Sequence, residues 1–173
     1  MSGKTTPTAR DLRMLRFEVI SDKEKNNKPL CAGNYKEVLG YLKHHELDGL
    51  AVMAVDVSVP RGKLQAAVQE IRQIGENFGL YVLIFGHLGD GNLHVNVMYD
   101  SGKNSESLFA GKLIEKVLYK VLGLGGSISG EHGVGLVKKP YLNQQLGRKQ
   151  RNLMQGIKRV FDPENIMNPD KAY

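Results

Sequence analysis

Phe85-Gly86-His87-Leu88-Gly89-Asp90-Gly91-Asn92-Leu93-His94-Val95-Asn96-Val97 reads as two strands meeting at a glycine-rich turn. Leu88-Gly89-Asp90-Gly91 carries the turn signals. Beyond it the chain alternates strictly: Asn92, His94 and Asn96 share one parity, Leu93, Val95 and Val97 the other. Side chains on a strand alternate between faces, so one face is apolar and packs on a core. The other shows amide, imidazole, amide, and a face of that kind is either wet or a site. Closing the hairpin lets His87 and His94 face each other across the turn.

The flanking sequence supplies helices to cover the apolar face. Leu50 to Val59 is β-rich and nearly all apolar until Asp56, which predicts a buried strand ending at Pro60. Leu64, Val68, Ile71, Ile74 and Phe78 repeat at helical spacing, with Gly79 placed as the C-cap. Leu80 to Phe85 is the next strand, and the second strand of the hairpin ends near Tyr99. Asp100 to Asn104 is a loop. Phe109, Leu113, Val117 and Val121 mark a second amphipathic helix, stopped by Gly123, Gly125 and Gly126. Ser127-Ile128-Ser129 reads as a short strand. A third helix directs Leu153, Met154, Ile157, Val160 and Phe161 inward until Asp162-Pro163 breaks it. Strand, helix, strand, strand, helix, strand is the split pattern of a ferredoxin-like α+β domain, here with an added C-terminal helix. Its sheet is antiparallel with helices gathered on one face. Residues 51–173 make up this domain, and residues 1–50 are an N-terminal extension without an assigned role. Within the extension, Leu12 to Ile20 reads as a short helix or strand, Tyr35 to Lys43 as a helix, and His44 and His45 as exposed.

A chain of 173 residues has room for one ordinary domain and a tail. The formal net charge of +6 permits nucleic acid or acidic partners. Sparse aromatics and the lack of a basic helical stripe argue against nucleic acid. No apolar run is long enough to cross a membrane. The single cysteine, Cys31, excludes an internal disulfide and points to a reducing compartment. The cytoplasm is the simple expectation. Lys4, Arg10, Arg13 and Arg16, with no acid before Asp11, admit a mitochondrial transit segment as the alternative.

The second unusual stretch is Gly130-Glu131-His132-Gly133-Val134-Gly135. Imidazole and carboxylate are the usual non-thiolate ligands of zinc and its first-row neighbours. His87, His94 and Glu131 supply two nitrogens and one oxygen, a set that suits Zn²⁺, Mn²⁺ or Fe²⁺. Three protein ligands leave a coordination position open, the mark of a catalytic site. Glu131 and His132 point opposite ways in an extended chain, so one of them is expected to bind the metal. Asp90 is the rival ligand, although Asp-Gly in a turn is usually structural. Histidines beside a turn are more often plain surface or core residues than ligands; the polar parity of β-strand residues Asn92, His94 and Asn96 tips the reading toward a site.

Gly86-His87-Leu88-Gly89-Asp90-Gly91-Asn92-Leu93-His94, then Gly130-Glu131-His132-Gly133-Val134-Gly135, then Phe161-Asp162-Pro163 and Asn168-Pro169 resemble the C-terminal domain of the FAD-linked oxidases. These are the D-2-hydroxyacid dehydrogenases: D-lactate dehydrogenase, the glycolate oxidase flavin subunit and D-2-hydroxyglutarate dehydrogenase. Asp56-Val57-Ser58-Val59-Pro60 fits the strand that precedes the family's first long helix. The resemblance runs from about Ala51 to Lys171. It implies a ferredoxin-like cap packed on an FAD domain, with a small 2-hydroxyacid between them. It implies that His87, His94 and Glu131 are metal ligands and His132 the general base. It further implies that Asn96 lines the substrate pocket and Asn168 lies near the flavin.

Two departures from the family pattern carry consequences. No glycine-rich phosphate loop follows a strand here, and the roughly fifty residues outside the resemblance are few for a second domain. The chain is therefore expected to need a separate FAD-binding domain or subunit. The family also places basic residues on and before the strand ending in Asp56, to hold the substrate carboxylate. Here that strand reads Leu50-Ala51-Val52-Met53-Ala54-Val55, and the nearest upstream candidate is Lys43. Two functions follow: the cap and metal-site part of a dehydrogenase, or a module that binds metal or a partner without catalysis.

Overall fold

The computed structural model describes residues 19–20, 50–87 and 89–172. The expected helix over 35–43, Lys43, His44, His45 and Leu88 lie outside the described residues. Strand β1 is Val19–Ile20, β2 Ala51–Ser58, β3 Tyr81–His87 and β4 Asn92–Tyr99. All pair antiparallel, in the order β1-β3-β4-β2. Helix α1, Leu64–Phe78, joins β2 to β3, and α2, Asn104–Gly123, follows β4. Past α2 the chain returns to the free edge of β2, where Ser127 and Ser58 exchange hydrogen bonds of 3.0 and 2.8 Å. The expected short strand is therefore a single antiparallel bridge. With it, the order across the sheet is that of a ferredoxin-like domain, and the α+β expectation holds.

Alternation along the strands builds the core. Val55 and Val57 of β2, Val82 and Ile84 of β3, and Leu93, Val95 and Val97 of β4 are buried on one face. Against them α1 sets Leu64, Ala67 and Ile71, and α2 sets Leu113, Val117 and Val121. Gly79 ends α1 in the left-handed conformation, at φ 69°, as its placement predicts.

Three expectations need correction. The strand over Leu50 to Val59 is fully covered only at Val55–Val57; Val52 is 48% exposed because it shares the parity of Ala54 and Asp56, on the sheet face that the helices do not cover. Phe109, in the second turn of α2, is 41% exposed; its ring lies 6.2 Å from that of the half-buried Phe78, while Ala110 and Leu113 take the buried positions of the helix. The larger difference concerns the last helices. After a four-residue helix α3, Leu142–Gln145, the chain forms α4, Arg148–Phe161, and α4 buries none of its residues. Leu153, Ile157, Val160 and Phe161 face outward, with Phe161 78% exposed. The stripe exists as periodicity predicts, but none of the described residues covers it. Local contacts hold the helix end. Lys158 pairs with Asp162, whose carboxylate accepts the backbone N–H groups of Ile166 and Met167 at 2.9 and 3.0 Å.

Candidate metal centre

The site lies on the sheet face turned away from α1 and α2. Register sets its first row: Phe85, His94 and Asp56 stand side by side on β3, β4 and β2. His87, Asn92 and Ser58 form the next row. His94 therefore stands opposite Phe85, and His87 opposite Asn92. The two histidines meet on a diagonal rather than directly across the turn, with ring centroids 5.5 Å apart and nearly perpendicular. Phe85 covers the other side of His94 at 4.8 Å.

Glu131 arrives from the segment beyond the Ser58–Ser127 bridge. Its Oε1 lies 3.1 Å from His94 Nε2 and 3.5 Å from His87 Nε2. Ligand atoms of His87, His94 and Glu131 all fall within 4.8 Å of one another. Two ligands each about 2.1 Å from a tetrahedral zinc sit about 3.4 Å apart, so the spacing suits a divalent cation. The donor set suits it as well: burial pulls the His94 imidazole below its ordinary pKa, with the neighbouring His132 and His87 adding to the effect and Glu131 opposing it. A neutral imidazole presents the lone pair that a metal needs.

His132 belongs to the same cluster. Its ring stacks on His94 with centroids 5.1 Å apart, and its Nε2 lies 3.8 Å from Glu131 Oε1. The expectation that Glu131 and His132 point opposite ways fails, because the segment is not extended. The backbone N–H groups of Gly130, Glu131 and His132 all converge on Asp56 Oδ2, at 2.7, 2.5 and 3.1 Å. Successive N–H groups wrapping one anion form a concave nest, which brings both side chains to the same side. An alanine at Gly130 would put its Cβ 2.2 Å from Asn92 Oδ1, so only glycine lets the nest seat against β4.

Asp56 and Lys138 are the residues that the sequence reading left without a role. Asp56 is fully buried, and Lys138 reaches it with Nζ 2.5 Å from Oδ1 and 2.8 Å from the Asp56 carbonyl oxygen. Burial pushes the Asp56 carboxyl upward, but the Lys138 ammonium and the N–H groups of Glu131 and His132 outweigh it and hold the pKa at about 2. A lone aspartate inside an apolar strand is the signal that could have found the pair, since buried charges are almost always partnered.

The remaining candidates lie apart from the cluster. Asn96 is half-buried on the His94 face of β4, two residues along from it, opposite Leu83 and Ala54. Asn168 is exposed in the C-terminal segment, where its Oδ1 accepts a hydrogen bond from Lys171 Nζ at 3.1 Å. Asp90 is exposed in the hairpin turn, its N–H donated to the His87 carbonyl at 3.1 Å, which fits a structural turn residue.

Sequence comparison supplies the family. The chain belongs to the family described as FAD linked oxidases, C-terminal domain, whose model matches residues 21–172. That match begins thirty residues before Ala51, within residues 1–50, to which the sequence alone assigns no role. Among curated relatives, the glycolate oxidase subunit GlcD of Bacillus subtilis is 37% identical over 118 residues, 68% of this chain and 25% of that protein. The D-2-hydroxyglutarate dehydrogenase of Stutzerimonas stutzeri is 40% identical over 123 residues, 68% of this chain and 26% of that protein. The mitochondrial D-lactate dehydrogenase [cytochrome] 1 of Saccharomyces cerevisiae is 34% identical over 122 residues, 70% of this chain and 20% of that protein. The match thus spans between a fifth and about a quarter of each relative's length.

Proposed function

We propose that residues 51–173 are the cap and metal-site part of an FAD-dependent D-2-hydroxyacid dehydrogenase, which oxidises a 2-hydroxyacid of the lactate or glycolate type to a 2-oxoacid. The observation that carries this reading is the convergence of His87, His94 and Glu131 next to His132. His87, His94 and Glu131 would hold a divalent cation, Zn²⁺, Mn²⁺ or Fe²⁺. Such a cation, when bound, polarises the substrate hydroxyl and makes it more acidic. His132 takes the hydroxyl proton on Nε2, while its Nδ1 faces the Asp56 carboxylate at 3.6 Å. Asn96 lends hydrogen bonds to the substrate from the same sheet face, and Asn168 lies toward the flavin. FAD, which would be bound mainly by a separate domain or subunit, would supply the chemistry that takes up the C2 hydride.

That partner also accounts for α4. Leu153, Ile157, Val160 and Phe161, with Ile166 and Met167 beyond the helix, are large apolar side chains left in solvent. Contiguous exposed patches of this kind mark interaction surfaces. The relatives' additional length supplies the occupant, the flavin-bearing part of the enzyme. Compartment is proposed as the cytoplasm or the mitochondrial matrix; among the described residues no helix is long and apolar enough to cross a membrane.

One observation favours a second reading, a metal- or partner-binding module without catalysis. Strand β2 holds no Lys or Arg to anchor a substrate carboxylate, and the nearby Lys138 ammonium is engaged by Asp56. Flavin bleaching separates the two. The chain is mixed with D-lactate and FAD, with and without a candidate FAD-domain partner. Bleaching that requires both proteins and is lost in His132→Ala supports the dehydrogenase; no bleaching in any combination leaves the binding module.

A further inference from the structure

Nothing in the backbone ladder holds the segment that delivers Glu131 and His132. The segment leaves the sheet at the Ser58–Ser127 bridge and takes no regular secondary structure from Ile128 to Val134. Its three central N–H groups find one acceptor, Asp56 Oδ2. The other oxygen of that carboxylate is held by Lys138, which lies on the same segment six residues past His132. Lys138 N–H in turn bonds the Val134 carbonyl at 3.2 Å, so the stretch from Gly130 to Lys138 closes as a loop around one buried anion. The anion stands in register with His94 on the neighbouring strand.

We propose that Asp56, clamped by Lys138, is a positioning residue: its carboxylate fixes the Gly130–His132 backbone so that Glu131 meets His87 and His94 and the His132 ring stacks on His94. The pair does this from behind the cluster, with both of its oxygens engaged by protein donors. The Lys138 side chain is 8% exposed and that of Asp56 0%, so neither competes for the open side of the site. Calling the cluster a metal site rests on the function proposed above; the anchoring of the segment does not.

The test compares wild type, the double variant Asp56→Asn/Lys138→Met and, as a second probe, Asp56→Glu. The double variant removes both charges together, because deleting one partner alone would leave an unpaired buried charge. Asp56→Glu keeps the ion pair and displaces the carboxylate by one methylene. Amide hydrogen exchange is followed by NMR on the full chain without metal, and Zn²⁺ affinity is measured separately by competition with a chelating dye. In the double variant the amides of Gly130, Glu131 and His132 lose protection on the order of 10- to 100-fold, as expected for charge-assisted bonds, while those of β3, β4 and α2 keep theirs. Zinc affinity falls on the order of 10- to 100-fold over the same pair, the range typical of groups that orient ligands. If the double variant fails to fold, Asp56→Glu is expected to show the same zinc loss with unchanged sheet amides. Wild-type protection at residues 130–132, or wild-type zinc affinity, in a folded variant overturns the proposal. A wild-type chain that takes up no zinc, yet loses loop protection in the variant, supports the anchoring and counts against the metal reading.

Discussion

Gly130→Ala puts one methyl group where the site has no room for it. The new Cβ would lie 2.2 Å from Asn92 Oδ1, 2.6 Å from Asn92 Cγ and 3.0 Å from Asp56 Oδ2. Non-bonded heavy atoms prefer about 3.5–4.0 Å, so the shortfall exceeds about 1 Å. Asn92 is 4% exposed on a paired strand and Asp56 is fully buried, so neither can withdraw. The loop itself must move, and a shift of that size breaks the 2.7 Å bond from the Gly130 N–H to Asp56. Overpacking costs about 1–3 kcal/mol and a charge-assisted hydrogen bond about 1.5–3 kcal/mol. Since moving the loop relieves part of the clash, about 2–3 kcal/mol of destabilisation is expected. Gly62→Ala is the control: nothing lies within 4 Å of its Cβ, and the change should stay within about 0.5 kcal/mol. Urea unfolding followed by circular dichroism, with zinc titration of the folded variants, reads both effects. A Gly130→Ala protein with the wild-type urea midpoint and wild-type zinc affinity would refute the reasoning, because the loop would then have space that the geometry denies it.

Three other outcomes are expected. The Asp56 carboxyl, held at about 2 against 3.8 when free, contributes on the order of 2 kcal/mol of stability above pH 4. A depressed acid stabilises while ionised, so this contribution fades as pH falls from about 4 to about 2, and an acid titration of Asp56→Asn/Lys138→Met should lack it. His94, buried and lowered, should titrate below the ordinary histidine value in a proton NMR titration of the metal-free chain. A His94 midpoint above that value would contradict the burial argument; with the pKa lowered, stability falls as pH drops from about 6.5 toward the folded pKa, because the unfolded chain protonates first. On α4, Val160→Ser/Phe161→Ser should reduce binding of an apolar dye while changing stability by less than about 0.5 kcal/mol, since both side chains are more than three-quarters exposed; a large loss of stability would show the stripe to be covered.

The sequence makes local order legible and hides what long-range contact decides. Leu93, Val95 and Val97 against Asn92, His94 and Asn96 announce which face of β4 is core, because strand period alone sets it. The stripe Leu64, Ile71, Ile74 announces α1 in the same way. The histidine pair is visible, but its diagonal geometry is not, since that depends on the register His87 opposite Asn92. Asp56 stands 74 to 82 residues from the groups that it binds, and no local pattern links them. Lys138 sits in a Lys-Lys-Pro run that reads as surface, yet it is buried. The third helix shows the converse limit. Periodicity predicts an apolar stripe on residues 148–161 without saying whether a partner for it lies among them or elsewhere.

The most direct measurement is zinc uptake by the purified chain at neutral pH, with His87→Ala, His94→Ala and Glu131→Gln alongside. The account predicts one ion per wild-type chain and an affinity loss of at least about 10-fold in each variant. It is contradicted if wild type takes up no zinc, no manganese and no iron, or if all three variants bind as wild type does.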